Sequence, residues 1–562
     1  MMKKIPNIYL SLDEGLAVEK SLEPDLSSSE LASILGIPHA WLLKRSVDAR
    51  HKDDVHFVAT VGVPEGYEPQ SATGVSDGPE PQAVIPLADR SLPGQRAVEH
   101  RPVVVGMGPA GLFAALELAE AGLCPLVIER GAPVAERTED VIRFERTGVL
   151  DTQSNVQFGE GGAGTFSDGK LNTGTHSPYI AQVLKTFAAA GANPDVLWQA
   201  KPHIGTDVLC DVVHEIRQRI IACGGEVRFH TQLVGFTTCP AADGGRKITG
   251  VVVQGQSDES EIVPAEHVIL ACGHSARDTF SLLKKEGLEL VPKPFALGVR
   301  IEHPQWLIDK GQYGQAAGHP ALGAADYKLV SHLKNGRSAY SFCMCPGGTV
   351  VAAASEDEQI CVNGMSVQAR DGENANSALL VNVTPEDFAA AAKEFGTPDD
   401  ELAGIAFQRR WEHAAYVLGG DDWTAPAETL GDFLGTSSQK GRGRNKGRRG
   451  PKPVSVEPTY PLGVREADVS FCLPPFVTEA LREAIPQMDR RLHGFSNPGA
   501  VITGVEARSS SPVRIVRDKE SYQATRMAGL YPAGEGAGYA GGITSSAVDG
   551  IRVARAVMKE LG

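Results

Sequence analysis

Three glycines and one acid are the first residues in this chain whose spacing could do chemistry. Gly106, Gly108 and Gly111 fit G-x-G-x-x-G, and Glu129 stands eighteen residues beyond the last of them. In that pattern the first glycine permits a tight turn, the second lets a diphosphate approach the backbone, and the third lets a helix pack closely on the preceding strand. Pro109 and Ala110 would open that helix. A proline costs nothing there, and the free amides of the first turn face the diphosphate. A carboxylate at Glu129, with Arg130 beside it, would then meet a ribose and argue against a 2′-phosphate at that position.

The elements needed to hold these residues can be read on either side. Val103 to Val105 is a short run, apolar on both faces, as a buried parallel strand requires, and Leu126 to Ile128 is a second one ending at Glu129. A bare glycine motif is weak, but strand, glycines, helix, strand and terminal acid in register make one βαβ unit. Phe158 to Thr173 follows, with Gly159, Gly161, Gly162 and Gly164 close together. Its backbone could approach a flat ring or a phosphate, and Thr165, Ser167 and Lys170 could donate hydrogen bonds. The alternative for this loop is a lid without contacts. Asp207 to Cys223 has the period of a helix. Glu226 to Phe229, Gln232 to Thr237 (with Val234) and Ile248 to Gln254 read as a β-meander turning at Asp243-Gly244-Gly245, before His267 to Ala271 runs into Cys272-Gly273. At the tail, a strand at Leu530 to Ala533 leads to Gly534-Glu535-Gly536. Gly541-Gly542 then precede a helix from Ile543 to Leu561 whose start would attract an anion.

These glycine segments together resemble the glutathione-reductase-like FAD flavoproteins, and more narrowly a group of uncharacterised bacterial FAD-dependent dehydrogenases. The likeness runs from about residue 100 to 562. Its carriers are VVVGMGPAG at Val103 to Gly111, FGEGGAGTFSDGKL at Phe158 to Leu171, FCMCPGG at Phe342 to Gly348 and LYPAGEGAGYAGGI at Leu530 to Ile543. Asn363 to Ser366 and EARSSSPVR at Glu506 to Arg514 are similar as well. The resemblance implies non-covalent FAD held by Gly106, Gly108, Gly111, Glu129, Gly273, Glu535 and Ile543. Pro109, Ala110, Arg130, Gly161, Gly162, Gly164, Thr165, Val234, Gly534 and Gly542 complete the expected cofactor set. It implies a dehydrogenase or reductase passing hydride between flavin and a small molecule, with NAD(P)H as candidate transient reductant, and it names no substrate. A monooxygenase is the alternative chemistry.

The fold class expected is α/β. A two-dinucleotide-binding-type, Rossmann-like FAD domain with an inserted meander should span 96–279 and 500–562. A mixed α+β substrate domain should span 280–499, and a small α+β, ferredoxin-like domain 1–95. Within the first 95 residues, Asn7 to Leu12, Trp41 to Ala49 and His56 to Val63 read as strands and Ser27 to Gly36 as a capped helix, with Pro64 to Arg96 as a connector. In the substrate domain Phe295 to Ile301, Tyr327 to Leu333, Arg337 to Cys345 and Thr349 to Ala354 read as strands. Thr384-Pro385 and Thr397-Pro398 read as helix starts.

For catalysis the candidates are few. Cys343 and Cys345, two apart on one strand, would share a face as a thiol pair toward the flavin, or else be small buried hydrophobes. Lys170 and Arg514 are the cations that could polarise a carbonyl or hold a carboxylate. The sequence has no C-x-x-C, no Ser-His-Asp pattern, no second βαβ unit with G-x-G-x-x-G for a tightly held NAD(P)H and no four-ligand metal cluster, so no metal is expected. Nine cysteines in irregular spacing suit reduced thiols, and the absence of an apolar leader or spanning run predicts a cytoplasmic protein without membrane contact. A net charge of −15 disfavours a general nucleic-acid coat. One segment deviates: Gly435 to Pro453 carries seven Lys and Arg and no acid. It reads as a solvated loop, with contact to RNA or acidic protein as the alternative, which would make the chain a flavoprotein of RNA or protein binding.

Overall fold

The structure, a computed structural model, describes residues 1–67, 74–241, 245–257, 259–396, 398, 400–436 and 453–562. At its centre is a five-stranded parallel sheet in the order Leu530–Pro532, Val268–Leu270, Val103–Val105, Leu126–Ile128, Glu226–Arg228. Each strand is three residues long, so alternation alone assigns its side chains. Val104, Val127 and Ile269 face a layer of helices, while Val103, Val105, Leu126, Ile128 and Leu270 face the meander. Both faces are covered, as an all-parallel sheet requires. Helix Pro109–Glu120 is buried nearly all round because it lies between this sheet and the C-terminal helix Ile543–Glu560. A Cβ on Gly550 would fall 2.0 Å from the Ala110 carbonyl oxygen, so the two helices meet backbone to backbone.

The meander differs from its reading in sequence. Glu226–Arg228 is not part of it but the outer parallel strand, and the three meander strands are Gln232–Pro240, Arg246–Gln254 and Ser260–Pro264. The last of these buries only Val263, which leaves no apolar alternation for a sequence pattern to detect. The expected Asp243-Gly244 turn lies outside the described residues.

A second, seven-stranded sheet forms the cap above the carboxyl ends of the parallel strands. Its order is Val330–His332, Ser338–Cys345, Asn374–Val383, Phe295–Pro304, Val501–Glu506, Ala425–Thr429, Val464–Glu466. Helices Ala403–Gly419 and Pro475–Asp489 add Phe407, Trp411, Leu481 and Ile485 to its core. Val501–Glu506 pairs with Phe295–Pro304, so residues 501–506 belong to this sheet, whereas the sequence reading returned the chain to the parallel sheet at 500. Below them Leu290–Pro292 pairs with Val513–Ile515 where the chain enters and leaves the cap. Thr384 caps helix Pro385–Phe395 through a capping box with Asp387. The helix expected after Thr397-Pro398 begins at Ala403, and residues 397 and 399 lie outside the described set.

The N-terminal sheet has the order Trp41–Asp48, His56–Pro64, Met2–Leu10, Ser76–Gly78. Ser28 caps helix Ser29–Leu35 by accepting from the Leu31 amide at 3.0 Å. The strand order is that of a ferredoxin-like sheet. Among the described residues, however, both helices, Leu12–Lys20 and Ser29–Leu35, precede the second strand, where the ferredoxin-like pattern places one after the third. The stretch expected as a plain connector supplies the edge strand Ser76–Gly78. Its Leu87 enters the core beneath helix Thr206–Ala222, pinned there by Arg219, which donates to the carbonyls of Arg90 and Ser91. Among the described residues no helix is long and apolar enough to cross a membrane. Most of the basic 435–453 segment lies outside the described residues.

Candidate functional site

A cleft of about 450 Å³ runs from the first glycine turn to the cap. That volume is ordinary for a ligand site. Gly106 turns at φ +95°, and a Cβ on Gly111 would sit 1.9 Å from its carbonyl oxygen, so strand and helix can approach only because both are glycine. Gly111 therefore acts by packing and does not line the cleft, whereas Gly106, Gly108, Pro109 and Ala110 do. Opposite them, the Cα of Gly108 lies 2.8 Å from where a Cβ on Gly162 would be. The two glycine loops thus touch.

The second loop is held rather than free. Arg137, wholly buried, donates to the carbonyls of Asn155, Val156 and Glu160, and its pKa is lowered to about 10 by burial. Glu160 in turn accepts from the Val134 amide and pairs with Arg217 at 2.7 Å. Gly162 and Gly164 line the cleft, but Gly161 and Thr165 turn away from it. The Thr165 hydroxyl is buried against the Glu160 carbonyl at 3.3 Å, and a Cβ on Gly161 would strike it. Those two expected contacts are corrected to supports of the loop. Val234 is corrected likewise: its neighbours Thr231 and Leu233 line the cleft, because a bulge between Leu233 and Gly235 shifts the register there.

Glu129 lines the cleft and is also engaged by main chain. It accepts from the amides of Met107 (2.7 Å), Gly131 (3.0 Å) and Gly159 (3.0 Å), joining the first glycine turn to the second loop. Arg130 donates to Asp278 and Thr279 and stacks its guanidinium 4.5 Å above the Phe158 ring. At the far wall, Asp549 accepts from the Gly534 amide at 2.8 Å and pairs with Arg517. This fixes the turn that presents Glu535. Thr544 donates to the Leu171 carbonyl at 2.6 Å and ties the start of helix Ile543–Glu560 to the glycine loop. Gly273, Gly534, Glu535, Gly542 and Ile543 all line the cleft. His274, which sequence reasoning passed over, stands 3.5 Å from Glu535 through Nδ1, and its Nε2 is buried with no partner among the described residues.

On the cap side Lys170 bonds the Met344 carbonyl and lies 3.5 Å from Asp168, whose carboxylate is also held by both arms of Arg370. Cys343 and Cys345 do not form a facing pair. A bulge between Phe342 and Cys345, with Cys343 at φ +39°, puts the two side chains in different environments. Cys343 opens into the cleft, yet the surrounding protein pushes its thiol up to about 12, so it is protonated. Cys345 is buried behind the strand, 3.1 Å from a nitrogen of Arg300. Arg300 is itself wholly buried against Glu506 and Asn376. Arg514 is corrected too: it stands on the exposed side of its strand, 5.3 Å from the Tyr539 ring, and is not part of the cleft.

The cation that does reach the cleft from that segment is Arg508, buried and paired through two nitrogens with Glu412 at 2.9 Å. Glu412 also takes Arg277 at 2.7 Å, and the two guanidiniums hold its carboxyl far below the usual carboxylate range. The network joins helix Arg277–Lys285, beside the parallel sheet, to the cap helix Ala403–Gly419. The only sequence signal for Arg508 was its place within the family-like stretch Glu506 to Arg514.

Residues 294–509 match the model of the family described as FAD-dependent protein, C-terminal domain-like. An uncharacterized protein of Clostridium beijerinckii is 43% identical over all 562 residues, covering 100% of this chain and 99% of that one. Among solved structures, CtdE in complex with FAD aligns over 83% of this chain and 85% of its own at 10% identity, with a TM-score of 0.30. The OxyS anhydrotetracycline hydroxylase of Streptomyces rimosus aligns over 52% and 48% at 17% identity, with a TM-score of 0.23. Scores this low give those two likenesses no weight for activity.

Proposed function

The chain belongs to the family of its full-length Clostridium relative and carries the C-terminal domain of FAD-dependent proteins; FAD is its cofactor, and on that premise we propose a dehydrogenase-type oxidoreductase of the glutathione-reductase-like kind. The residues lining the cleft fit the cofactor. Two helix starts, at Pro109 and Ile543, aim unpaired amides into one cleft, and a glycine cradle between them leaves room where any Cβ would intrude. Gly106, Gly108 and Ala110 would hold the diphosphate, Glu129 and Arg130 the adenosine end, and Gly542 and Ile543 the pyrimidine edge of the ring. His274, which meets Glu535 through Nδ1 and whose buried Nε2 has no partner among the described residues, would complete the set. FAD supplies the capacity to accept or give a hydride.

The chain's own residues supply position and exclusion. Arg137 and Glu160 keep the glycine loop closed over the cleft, the bonds of Glu129 hold both loops in register, and the cap sheet covers the carboxyl ends of the parallel strands, where ligands of such sheets bind. One observation carries the reading: a single cleft extends from the dinucleotide turn to the cap strand bearing Cys343, with Lys170 reaching across to that strand. A small molecule placed there would lie beside the ring, and a protonated Cys343 thiol beside it could donate a hydrogen bond but not act as a thiolate.

The direct test is anaerobic. Mixing the yellow protein with pools of small metabolites should bleach the flavin with the one it oxidises, and acid precipitation should release the colour into solution as expected for non-covalent FAD. A hydroxylated product formed from NADPH and oxygen would replace the dehydrogenase reading with a monooxygenase.

A further inference from the structure

We propose that the cap half of the cleft is an oxyanion subsite, formed by Lys170, Lys201 and Lys328 with Phe342 as its apolar wall, which takes the carboxylate or phosphate of the molecule brought to the flavin. The proposal deepens the oxidoreductase reading and rests on it. Four different segments of chain bring these residues together. Val330 pairs with Tyr340, and the Ser341 amide donates to the Leu329 carbonyl at 2.9 Å, so continuing the register sets Lys328 opposite Phe342. Both side chains are exposed and both line the cleft. Lys170 is bonded to the carbonyl of Met344, two residues along the same strand from Phe342. Lys201 reaches Asp326, two residues before Lys328, at 2.8 Å.

The charges of this half do not cancel. Asp168 is neutralised by the two-pronged bond from Arg370, so Lys170, at 3.5 Å, is in excess. Asp326 is matched by Lys201, and the buried Glu506 by Arg300. Lys328 forms no ion pair among the described residues. Two positive charges therefore remain over in a partly enclosed cleft, on a protein whose formal net charge is −15. Charges facing a cleft with low-dielectric walls act more strongly than the same charges on an open surface, so an anion is the ligand this half selects. Phe342, an exposed apolar ring beside the lysines, would cover the uncharged body of the same molecule.

Two sources could bring the oxyanion: an organic acid substrate, or the phosphates of a nicotinamide dinucleotide acting as reductant. Titration of the FAD-loaded protein with benzoate, benzamide, inorganic phosphate and adenosine 2′,5′-bisphosphate, read by calorimetry and by the flavin difference spectrum, distinguishes them. At least one anion should bind about ten-fold more tightly than neutral benzamide and weaken as sodium chloride is added. Preference for benzoate identifies the organic acid, and preference for the bisphosphate identifies the dinucleotide. Lys201→Gln and Lys328→Glu, both at exposed positions, should each weaken that anion about ten-fold, while Arg514→Gln, outside the cleft, leaves it unchanged. Benzamide binding as well as the anions, or both lysine variants keeping the parent affinity, would overturn the subsite. Protein that purifies without flavin would strike the oxidoreductase reading instead, and calorimetry on that preparation would still report the anion site.

Discussion

The sheet side and the cap side of the cleft are built from opposite materials. On the sheet side the contacts are main chain to main chain: Gly111 under Gly106, Gly162 against Gly108, Gly550 against Ala110, with Glu129 satisfied by three backbone amides. On the cap side they are charged side chains from distant segments, with a bulge at Cys343 and lysines that outnumber the acids facing them. A surface made of backbone and glycine offers few side chains to vary, whereas one made of long side chains can change its ligand by substitution alone. On the proposed reading, cofactor and substrate would be recognised by separable parts of one cleft, and variants can test that separation.

The largest effect should come at the seam between the two sides. Glu412→Gln removes the buried carboxylate shared by two buried guanidiniums, Arg277 and Arg508, leaving them only the half-buried Glu356, and should cost about 3–5 kcal/mol in denaturant unfolding. Gly111→Val comes next. Its new side chain would collide with the Gly106 carbonyl, costing about 3 kcal/mol and expelling FAD, measured together as melting temperature and flavin content. Glu129→Ala deprives three amides, and the ribose that Glu129 would hold, of their acceptor. FAD affinity should fall by about 2–3 kcal/mol, and unchanged flavin content in the purified variant would remove Glu129 from the site.

Two smaller effects belong to the cap. Burial raises the Glu428 carboxyl to about 7, above the usual 4.5, so the folded protein is penalised as pH rises from about 4.5 to about 7, and fully above that. Glu428→Gln should therefore be more stable than the parent by about 1 kcal/mol at pH 8 and no more stable at pH 4, in thermal melts at the two values. Cys343→Gly releases a non-glycine residue from φ +39° and should gain about 0.5–1 kcal/mol with flavin content unchanged. Loss of flavin in that variant would break the separation of the two sides.

The same contrast explains what the sequence disclosed. The βαβ unit, the glycine turns, Glu129 and the start of the last helix were legible because spacing along a short stretch fixes them, and all of them meet in the cleft. Thr165 and Gly161 were misplaced because a glycine-dense loop does not reveal which of its residues face inward; that is decided by Arg137, some thirty residues upstream, gripping its carbonyls. The cysteine pair failed because a bulge breaks the period of two on which the argument relied. Lys201, Lys328, Arg508 and His274 were missed because their meeting depends on pairings between strands far apart in the chain, which no local pattern records.

The placement of two late strands has a consequence for how the molecule is made. Val501–Glu506 is an interior strand of the cap sheet, Leu530–Pro532 is the edge of the parallel sheet, and helix Ile543–Glu560 covers the dinucleotide helix. A chain emerging from the ribosome therefore exposes an unpaired edge of Phe295–Pro304 for some two hundred residues of synthesis, and the nucleotide cleft lacks its far wall until helix Ile543–Glu560 has left the tunnel. A complete cofactor cleft must wait for that helix. Truncation before Val501 would leave Phe295–Pro304 with an open edge, whereas truncation between Glu506 and Leu530 would complete the cap sheet but leave the parallel sheet open, ready to pair with whatever strand it meets.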